Sequence, residues 1–405
     1  MKFLFCCLAS PGYVNPSIGI ALKLRERGHE AAFVTDVPYG EQLSRQGLER
    51  IPRGEADGPS FDVKQWFYPN SVAMQMKHIS YALRRFQPDV LVGQQLTMGP
   101  LLVGELRRIP VALLGLFVYL WLGSDPIPGQ VLSNRQGLQA WRHQDMLKYY
   151  NEARKRLGIA PRSANAAETP LLGDLFMLRS IPAFEKGLDD LPKKVHLVGD
   201  CLWEEQHNDP ELDAWLNAAV GEGCPIIYVQ HGRTFDKPGF WANLVEGLAG
   251  TNMRVAVSSS RMDCSIGNVP SNFFVRPFLP QGRVLRVASA LVTTANTTAV
   301  LGALTAGVPG LLVPAGGEEP DVAEQCENAG VARVLAIEMA SPARLGSELR
   351  QLLEDENTKN AARRISAKFA QLDSFNITAD LLERLAQAKA PVLRSEQKYV
   401  LESAI

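Results

Sequence analysis

The sequence predicts an α/β protein made of two similar halves, each built on a parallel sheet. Its 405 residues exceed what one hydrophobic core usually holds, which favours two domains. In both halves, short apolar runs that suit buried strands alternate with helical patterns, as is typical of βαβ units. A polar, acidic connector from Cys201 to Pro210 separates the two halves.

The first half alternates strand and helix candidates from its first residues. Gly28 ends a helical pattern as a C-cap, and Pro88 opens a strand. A polar and aromatic stretch from 123 to 168 has no clean periodicity and is expected to form helices and loops around the sheet. Strands are expected at 2–9, 31–35, 90–92, 111–116 and 195–200, and helices at 16–27, 71–86 and 99–107.

The second half repeats the scheme and then becomes helical. We expect a first domain at 1–200, a linker at 201–214, a second domain at 215–375 and a C-terminal helix with a tail at 376–405. Strands are expected at 226–230, 254–258, 272–275, 291–294 and 310–313, and helices at 300–306, at 322–329 and from 341 to 385.

Composition excludes several classes of protein. The 42 Lys and Arg nearly cancel the 43 Asp and Glu, so there is no basic surplus for nucleic acid or anionic lipid. The longest apolar run, 111–122, is too short to span a bilayer, and the apolar run at 1–9 is too short for a secretory signal. The six cysteines form no CxxC or Cys/His cluster, which predicts a cytoplasmic protein without a metal site.

Four loops are expected at the carboxyl ends of strands, where open parallel sheets bind ligands. They span residues 10–15, 232–234, 293–298 and 314–319. Small hydroxyl side chains and a following helix make 293–298 a candidate phosphate cradle, because amides and hydroxyls there can approach a diphosphate closely. An ordinary Thr-rich helix N-cap without a ligand is the alternative.

Two further segments have side chains suited to a flat base and to sugar hydroxyls. Phe278 lies in an extended run, 274–281, and suits stacking on a flat base, although most Phe residues in such runs are core. Glu318 and Glu319 follow two glycines and can accept hydrogen bonds from sugar hydroxyls, although a solvated acidic turn is equally compatible with them.

Several motifs together resemble one enzyme family. GYVNP at 12–16 with LRERGHE at 24–30 resembles the GHVNP and RGHxVTF opening of nucleotide-sugar-dependent glycosyltransferases that act on macrolides and other small molecules. FLPQ at 278–281 resembles their W-x-PQ element, 291–309 their VTHAG…G-x-P element and 314–333 their P-x-x-x-DQ…GVAR element. The resemblance runs in order from residue 2 to about 390. It implies the GT-B architecture, two Rossmann-like domains facing across a cleft, with the C-terminal helix crossing back to the first domain.

The resemblance also implies ligands and their sites. A UDP- or dTDP-linked sugar is the expected co-substrate, held by the second domain, and a small hydrophobic natural product is the acceptor, held by the first. Hexosyl transfer with inversion, without a metal or a separate cofactor, is expected from a monomer or homodimer. The implied donor residues are Gly232, Arg233, Thr234, Phe278, Leu279, Gln281, Thr294, Asn296, Thr297, Thr298, Glu318 and Glu319. The implied acceptor residues are Tyr13, Trp66, Phe67, Tyr68, Phe117, Tyr119 and Trp121.

The sequence departs from the family pattern at the catalytic positions. Tyr13 stands where the family has a catalytic histidine, and Gln94 stands where it has the acidic residue that orients that histidine. A phenol with an ordinary pKa near 10 is a poor general base at neutral pH unless a cation lowers that pKa. On the donor side, Thr294 replaces a diphosphate-binding histidine, Gly302 a ribose-binding glutamate, and Glu318-Glu319 an Asp-Gln pair.

Three explanations of these departures stay open. The acceptor is already nucleophilic or acidic, as an amine, carboxylate, phenol or enol is, or a base comes from the substrate, Asp125 or His143. Alternatively, the chain is a relative without turnover that serves as a ligand-binding or helper protein. The third possibility is other nucleotide-sugar chemistry, such as epimerisation or hydrolysis. The retained Gly12, Asn15 and Pro16 favour an active transferase.

Overall fold

The chain divides into two compact units in a computed structural model. The first unit comprises Met1–Cys201 and Asp373–Ile405, and the second comprises Leu202–Leu372. The structure describes residues 1–54, 57–126, 130–163, 165–185, 190–230, 239–259 and 268–394.

The first unit is built on one all-parallel sheet. Among its described residues the strands are β1 (Lys2–Cys6), β2 (Glu30–Val34), β3 (Glu49–Arg50), β4 (Val90–Gln94), β5 (Val111–Leu114), β6 (Leu175–Leu178) and β7 (Val195–Leu197). Their order across the sheet is β3-β2-β1-β4-β5-β6-β7. Strands β4, β5 and β6 are buried along their whole length, so their sequences are apolar without alternation, as expected where helices cover both faces of a sheet.

Helices connect these strands and cover the sheet. They are α1 (Pro11–Glu26), α2 (Gly40–Arg45), α3 (Pro69–Arg85), α4 (Gly99–Arg107) and α5 (Asn134–Arg156). Helix α5 occupies half of the stretch from 123 to 168, in which the sequence shows no periodicity. It begins with a capping box in which Ser133 and Gln136 exchange side-chain and main-chain hydrogen bonds, so its start depends on local polar contacts.

The second unit repeats the design with a second all-parallel sheet. Among its described residues the strands are β8 (Ile226–Gln230), β9 (Arg254–Ser258), β10 (Phe273–Arg276), β11 (Ala290–Thr293), β12 (Gly310–Leu312) and β13 (Ala332–Val334), in the order β10-β9-β8-β11-β12-β13. Its helices are α6 (Pro210–Gly221), α7 (Phe240–Leu248), α8 (Gln281–Leu285), α9 (Thr297–Ala306), α10 (Glu319–Asn328), α11 (Pro342–Glu354) and α12 (Glu356–Phe369). Separate apolar layers fill the two faces, one with α7 and α11, the other with α6, α8 and α9.

Both sheets reverse their strand order at one point. The reversal lies between β1 and β4 in the first unit and between β8 and β11 in the second. In doubly wound sheets the connections on either side of such a point leave in opposite directions, which opens a crevice at the carboxyl ends of the two strands. Each unit therefore has one expected ligand position, set by topology alone.

The last helix, α13 (Ser374–Ala388), belongs to the first unit although it follows the second in sequence. Arg27, at the end of α1, donates to Asp380 over 2.6 Å and to Glu383 over 3.2 Å. His29 contacts Glu383 through Nε2 over 2.9 Å. The RGH segment of the opening motif thus anchors the returning helix on α1.

Two kinds of feature are absent from the part of the chain that the structure describes. None of its helices combines the length and apolar character needed to cross a membrane. No group of three or more His, Cys, Asp or Glu side chains is arranged there to hold a metal ion.

Helices α7 and α11 approach each other closely at Gly247. A Cβ atom at Gly247 would lie 2.4 Å from the carbonyl oxygen of Pro342, which is main chain and has little room to move. Gly247→Ala should therefore destabilise the second unit by about 1–3 kcal/mol, although alanine is the better helix former. Urea unfolding would measure the loss.

Gly221→Ala is the matched control. Gly221 ends α6 in the same unit, and a Cβ there meets no atom within 4 Å. This variant should be as stable as the wild type or slightly more stable. Equal stabilities of the two variants would show that the close approach at Gly247 is not a constraint.

Candidate functional site

Tyr13 and Gln94 meet at the switch point of the first sheet. Gln94 ends β4, and Tyr13 lies in the first turn of α1, which follows β1. The Gln94 side chain accepts a hydrogen bond from the amide of Leu8 over 2.8 Å and donates to the carbonyl of Tyr13 over 3.1 Å and to Ser17 Oγ over 3.4 Å. Both polar atoms of Gln94 thus hold the β1–α1 turn in place, which is a structural role.

A buried arginine that the sequence analysis missed lies at the same turn. Arg179 directly follows β6 and is 1% exposed. Its Nε donates to the carbonyl of Asp200 over 2.9 Å, and Nη1 donates to the carbonyl of Gly12 over 3.4 Å. The third nitrogen, Nη2, is buried and has no hydrogen-bond partner. The rule that pointed to the other loops, a polar residue at the carboxyl end of a buried strand, could have found it.

One set of predicted acceptor residues forms an aromatic cluster that reaches solvent. Trp66 and Phe67 are half-buried and lie 5.2 Å apart by ring centroids, while Tyr68 is 51% exposed. Tyr149 of α5, which sequence reasoning did not select, packs on Phe67 at 4.9 Å. The cluster can present an apolar surface to a flat hydrophobic molecule.

The other predicted acceptor residues lie in the core. Phe117 and Trp121 are 0% and 2% exposed and pack on Phe184 and Phe176, respectively. Tyr119 is equally buried, and its hydroxyl has no hydrogen-bond partner. These rings offer no open pocket wall in this conformation because they fill the space at the ends of β5 and β6.

Buried polar groups surround these rings. His143 of α5 lies 6.4 Å from the ring of Trp121, its Nε2 has no partner, and burial lowers its pKa. Asp125, the other base considered, is exposed and accepts a hydrogen bond from the amide of Ala166 over 3.0 Å. Glu185, which the sequence analysis missed, is 6% exposed, and burial raises its pKa to about 7.

In the second unit the switch point carries the Thr-rich loop between β11 and α9. Asn296 caps α9 by accepting from the amide of Ala299 over 3.1 Å, and its Nδ2 donates to Thr293 Oγ1. Ala295 adopts a φ of +71°, a left-handed conformation that costs about 1–2 kcal/mol in a residue with a Cβ. The hydroxyl of Thr297 is buried without a partner. The loop from β8, with Gly232, Arg233, Thr234 and the neighbouring His231, lies outside the described residues.

Thr294 and Glu319 bind each other. The hydroxyl of Thr294 donates to Glu319 Oε1 over 2.6 Å, and Glu319 Oε2 accepts from the amides of Ala315 and Gly316 over 3.0 and 3.2 Å. Burial raises the pKa of Glu319 to about 7, and these hydrogen bonds act in the opposite direction. Because Glu319 is 2% exposed and both its oxygens are engaged, in this conformation it does not offer them to a sugar. Half-buried Glu318 precedes it.

The FLPQ segment contains an exposed aromatic side chain followed by a buried aliphatic one. Phe278 is 50% exposed, and its ring lies 6.1 Å from that of His207 in a T-shaped arrangement. Leu279 is 1% exposed and belongs to the apolar layer beneath α9. Of these two predicted donor residues, only Phe278 presents its side chain to a ligand, so Leu279 can contribute no more than main-chain groups.

Gln281 takes the space left by a missing side chain. Its Nε2 donates to the carbonyl of Thr298 over 3.0 Å and would lie 1.9 Å from a Cβ at Gly302. The side chain of Gln281 can therefore occupy this position because residue 302 is a glycine. Glu204 accepts from the amides of Gln281 and Gly282 over 2.6 and 3.0 Å and so fixes the start of α8.

Comparison with known proteins finds similar sequences among enzymes of antibiotic biosynthesis. A family model described as the C-terminal domain of erythromycin biosynthesis protein CIII-like proteins matches residues 244–382. The 4'-demethylrebeccamycin synthase of Lentzea aerocolonigenes is 24% identical, with 95% of this chain and 99% of that protein aligned. The oleandomycin glycosyltransferase of Streptomyces antibioticus is 25% identical, with 97% and 92% aligned.

Solved structures share the architecture of the chain. The glycosyltransferase of kitacinnamycin superposes with a TM-score of 0.73 at 20% identity over 96% of this chain and 99% of that one. The glycosyltransferase VinC, solved with dTDP, superposes with a TM-score of 0.69 at 19% identity over 96% and 100%. The chain therefore has the two-domain GT-B fold of these glycosyltransferases. Tyr13, Gln94, Thr294 and Gly302 are the positions at which its motifs differ from the family pattern that the sequence resembles.

The buried carboxyl of Glu185 predicts a pH dependence of stability. Its pKa is near 4.5 when exposed and about 7 in the folded glycosyltransferase, so between these values the unfolded chain loses this proton and the folded chain keeps it. Wild-type stability should fall as pH rises from about 4.5 to 7, by up to about 3 kcal/mol. Glu185→Gln does not titrate, so its stability relative to the wild type should rise over that range.

Urea unfolding at pH 5 and pH 7.5 measures this difference. Glu152→Gln is the control, because Glu152 is exposed on α5 and should give the same small difference at both pH values. A Glu185→Gln difference that stays constant with pH would contradict the assignment.

Proposed function

We propose that the chain transfers a hexose from a UDP- or dTDP-linked donor to a small hydrophobic natural product, with inversion at the anomeric carbon. The observation that carries the proposal is the half-exposed ring of Phe278 in the same unit as the N-terminus of α9, where a base and a diphosphate find complementary groups. The named relatives that act in antibiotic biosynthesis support a natural-product acceptor.

The donor is assigned to the second unit. Phe278 offers a ring face for stacking on the base, and the first turn of α9 offers main-chain amides and the unpartnered hydroxyl of Thr297 to the diphosphate. Positive helix-end potential also stabilises the negative charge that develops on the leaving nucleoside diphosphate. The dTDP bound to VinC, a structural neighbour, supports a dTDP- or UDP-linked sugar.

The acceptor is assigned to the first unit. Trp66, Phe67 and Tyr68 present the aromatic surface that a hydrophobic molecule needs, and the turn with Tyr13 lies at the switch point of the same sheet. In the reaction, an acceptor oxygen attacks the anomeric carbon from the side opposite the diphosphate. Its lone pair forms the new C–O bond, the electron pair of the breaking C–O bond leaves with the nucleoside diphosphate, and a hydroxyl acceptor loses its proton to solvent.

A second candidate function, a ligand-binding or helper protein without turnover, is favoured by specific contacts. Glu319 and Thr294 are hydrogen-bonded to each other, and the side-chain amide of Gln94 is hydrogen-bonded to main-chain groups and to Ser17. A transferase that binds a sugar through Glu319 must break its hydrogen bond to Thr294, whereas a helper protein need not. Nucleotide binding discriminates between the two functions.

The deciding experiment is a calorimetric and thermal-shift titration with UDP, dTDP, GDP and ADP. Selective binding of UDP or dTDP is expected, and it raises the melting temperature because ligand binds only the folded state. Phe278→Ala should weaken that binding by about tenfold or more, since base–aromatic stacking contributes about 1–3 kcal/mol.

Val287→Ala serves as the matched control for this variant. Val287 is also an exposed apolar residue of the second unit, 39% exposed, and its removal should leave nucleotide affinity unchanged. Unchanged affinity in Phe278→Ala would remove the stacking assignment. Failure of all four nucleotides to bind the wild type would place the helper function first.

Tyr13→Phe tests whether the phenol is the base. We expect the variant to keep turnover within about tenfold, because a phenol is a weak proton acceptor at neutral pH and the ring itself is retained. Initial rates with the donor identified above measure this. A loss of about a hundredfold or more would instead assign the Tyr13 hydroxyl a catalytic part.

A further inference from the structure

The guanidinium of Arg179 is a buried cation beside the position of the missing histidine. Its main-chain partners are the carbonyls of Asp200 and Gly12, and Gly12 directly precedes Tyr13 in the first turn of α1. Nη2 is buried without a partner. Arg179 therefore brings positive charge, and one unused donor, to the turn at the switch point of the first sheet.

No neighbouring group fully compensates this charge. Among the residues that the structure describes, no carboxylate accepts a hydrogen bond from Arg179. The ionisable groups that influence it are Cys201, Asp200 and Tyr13. Burial raises the pKa of the Cys201 thiol to about 12, so the thiol is neutral at physiological pH, and Asp200 bonds to Arg179 through its carbonyl only.

A buried charge that is not hydrogen-bonded to a counter-ion is strongly unfavourable. Burial does lower the pKa of Arg179, yet a guanidinium stays protonated in proteins because its ordinary pKa is so high. Asp200 attracts the guanidinium electrostatically, but among the described residues no carboxylate bonds to it. The group that is missing here is an anion in hydrogen-bond contact with Nη2.

We propose that Arg179 is the counter-charge for an acceptor whose nucleophilic oxygen is already anionic, as in a carboxylate, phenolate or enolate. This inference rests on the proposed transferase function and names its acceptor class. An anionic oxygen has no proton to remove. Its lone pair forms the bond to the anomeric carbon while the diphosphate departs with the electron pair of the bond that breaks, so Tyr13 and Gln94 need not act as a base pair.

The same cation discriminates among acceptors that need little base assistance. A protonated amine is repelled by Arg179, and a neutral alcohol gains little from it, whereas an anionic oxygen gains a charge-assisted hydrogen bond from Nη2. Because Nη2 is buried, the acceptor reaches it after a neighbouring side chain moves.

The test compares matched carboxylates and amides as acceptor-site probes. Benzoate, 1-naphthoate and anthracene-9-carboxylate are titrated by calorimetry at pH 7.5 against their primary amides. The wild type should bind the best carboxylate at least about tenfold more tightly than its amide, in line with a charge-assisted hydrogen bond. In Arg179→Met this ratio of affinities should fall to about one. Arg179→Lys keeps the charge without the planar guanidinium, so its ratio should lie between those of the wild type and Arg179→Met.

Arg107→Met is the control, because Arg107 is exposed at the end of α4 in the same unit and should leave the ratio unchanged. Thermal unfolding checks that each variant is folded. Arg179→Met removes the donors to the carbonyls of Asp200 and Gly12, so its melting temperature does not separate the proposal from a structural role, and the affinity ratio decides.

Absence of a carboxylate preference in the wild type for all three pairs would overturn the proposal. A carboxylate preference that survives in Arg179→Met would also overturn it. If the methionine variant does not fold, an undiminished carboxylate preference in Arg179→Lys would do so. Nucleotide binding, measured on the same protein, tests the proposed donor site separately from the proposed role of Arg179. Carboxylate preference without nucleotide binding rejects the donor site alone, and the reverse result rejects the role of Arg179 alone.

Discussion

Parallel strand pairing is the constraint on which the sites of this protein depend. Since every described strand pair in both sheets is parallel, the carboxyl ends of neighbouring strands share one edge. Tyr13, Gln94 and Arg179 come from three distant parts of the chain and meet because β1, β4 and β6 all end at that edge. The second sheet places the Thr-rich loop by the same rule.

Within the second unit, the residues that differ from the resembled pattern contact other residues of the same unit. Gly302 has no side chain, and Gln281 fills the space beside it. Thr294 and Glu319 form a short hydrogen bond whose acceptor is further held by two loop amides. These contacts explain how the fold accommodates glycine at 302 and threonine at 294.

The first unit places a buried cation at the turn that carries Tyr13. Tyr13 and Gln94 stand where the resembled pattern has a histidine and an acidic residue, and Gln94 satisfies main-chain groups. The guanidinium of Arg179, which is 1% exposed, donates to the carbonyl of Gly12 in the same turn. The proposal of an anionic acceptor rests on this buried cation.

The sequence by itself determined the fold class and the positions of most loops. Apolar runs without alternation identify strands buried on both faces, as in β4 and β5, and strand-to-helix junctions identify the loops around Tyr13 and Thr294. These features depend on local pattern, which sequence records directly. Phe278 was selected by the resemblance and not by local pattern, which is equally typical of a core residue, and its ring is half-exposed.

Only the tertiary structure decided which side chains are engaged and which are available. Periodicity does not distinguish Trp66, which is half-buried, from Trp121, which is core, because burial depends on elements far apart in sequence. The pairing of Thr294 with Glu319 and the approach of Arg179 to Gly12 span 25 and 167 residues. Such contacts follow from how the sheets are assembled, and the availability of the site residues follows from them.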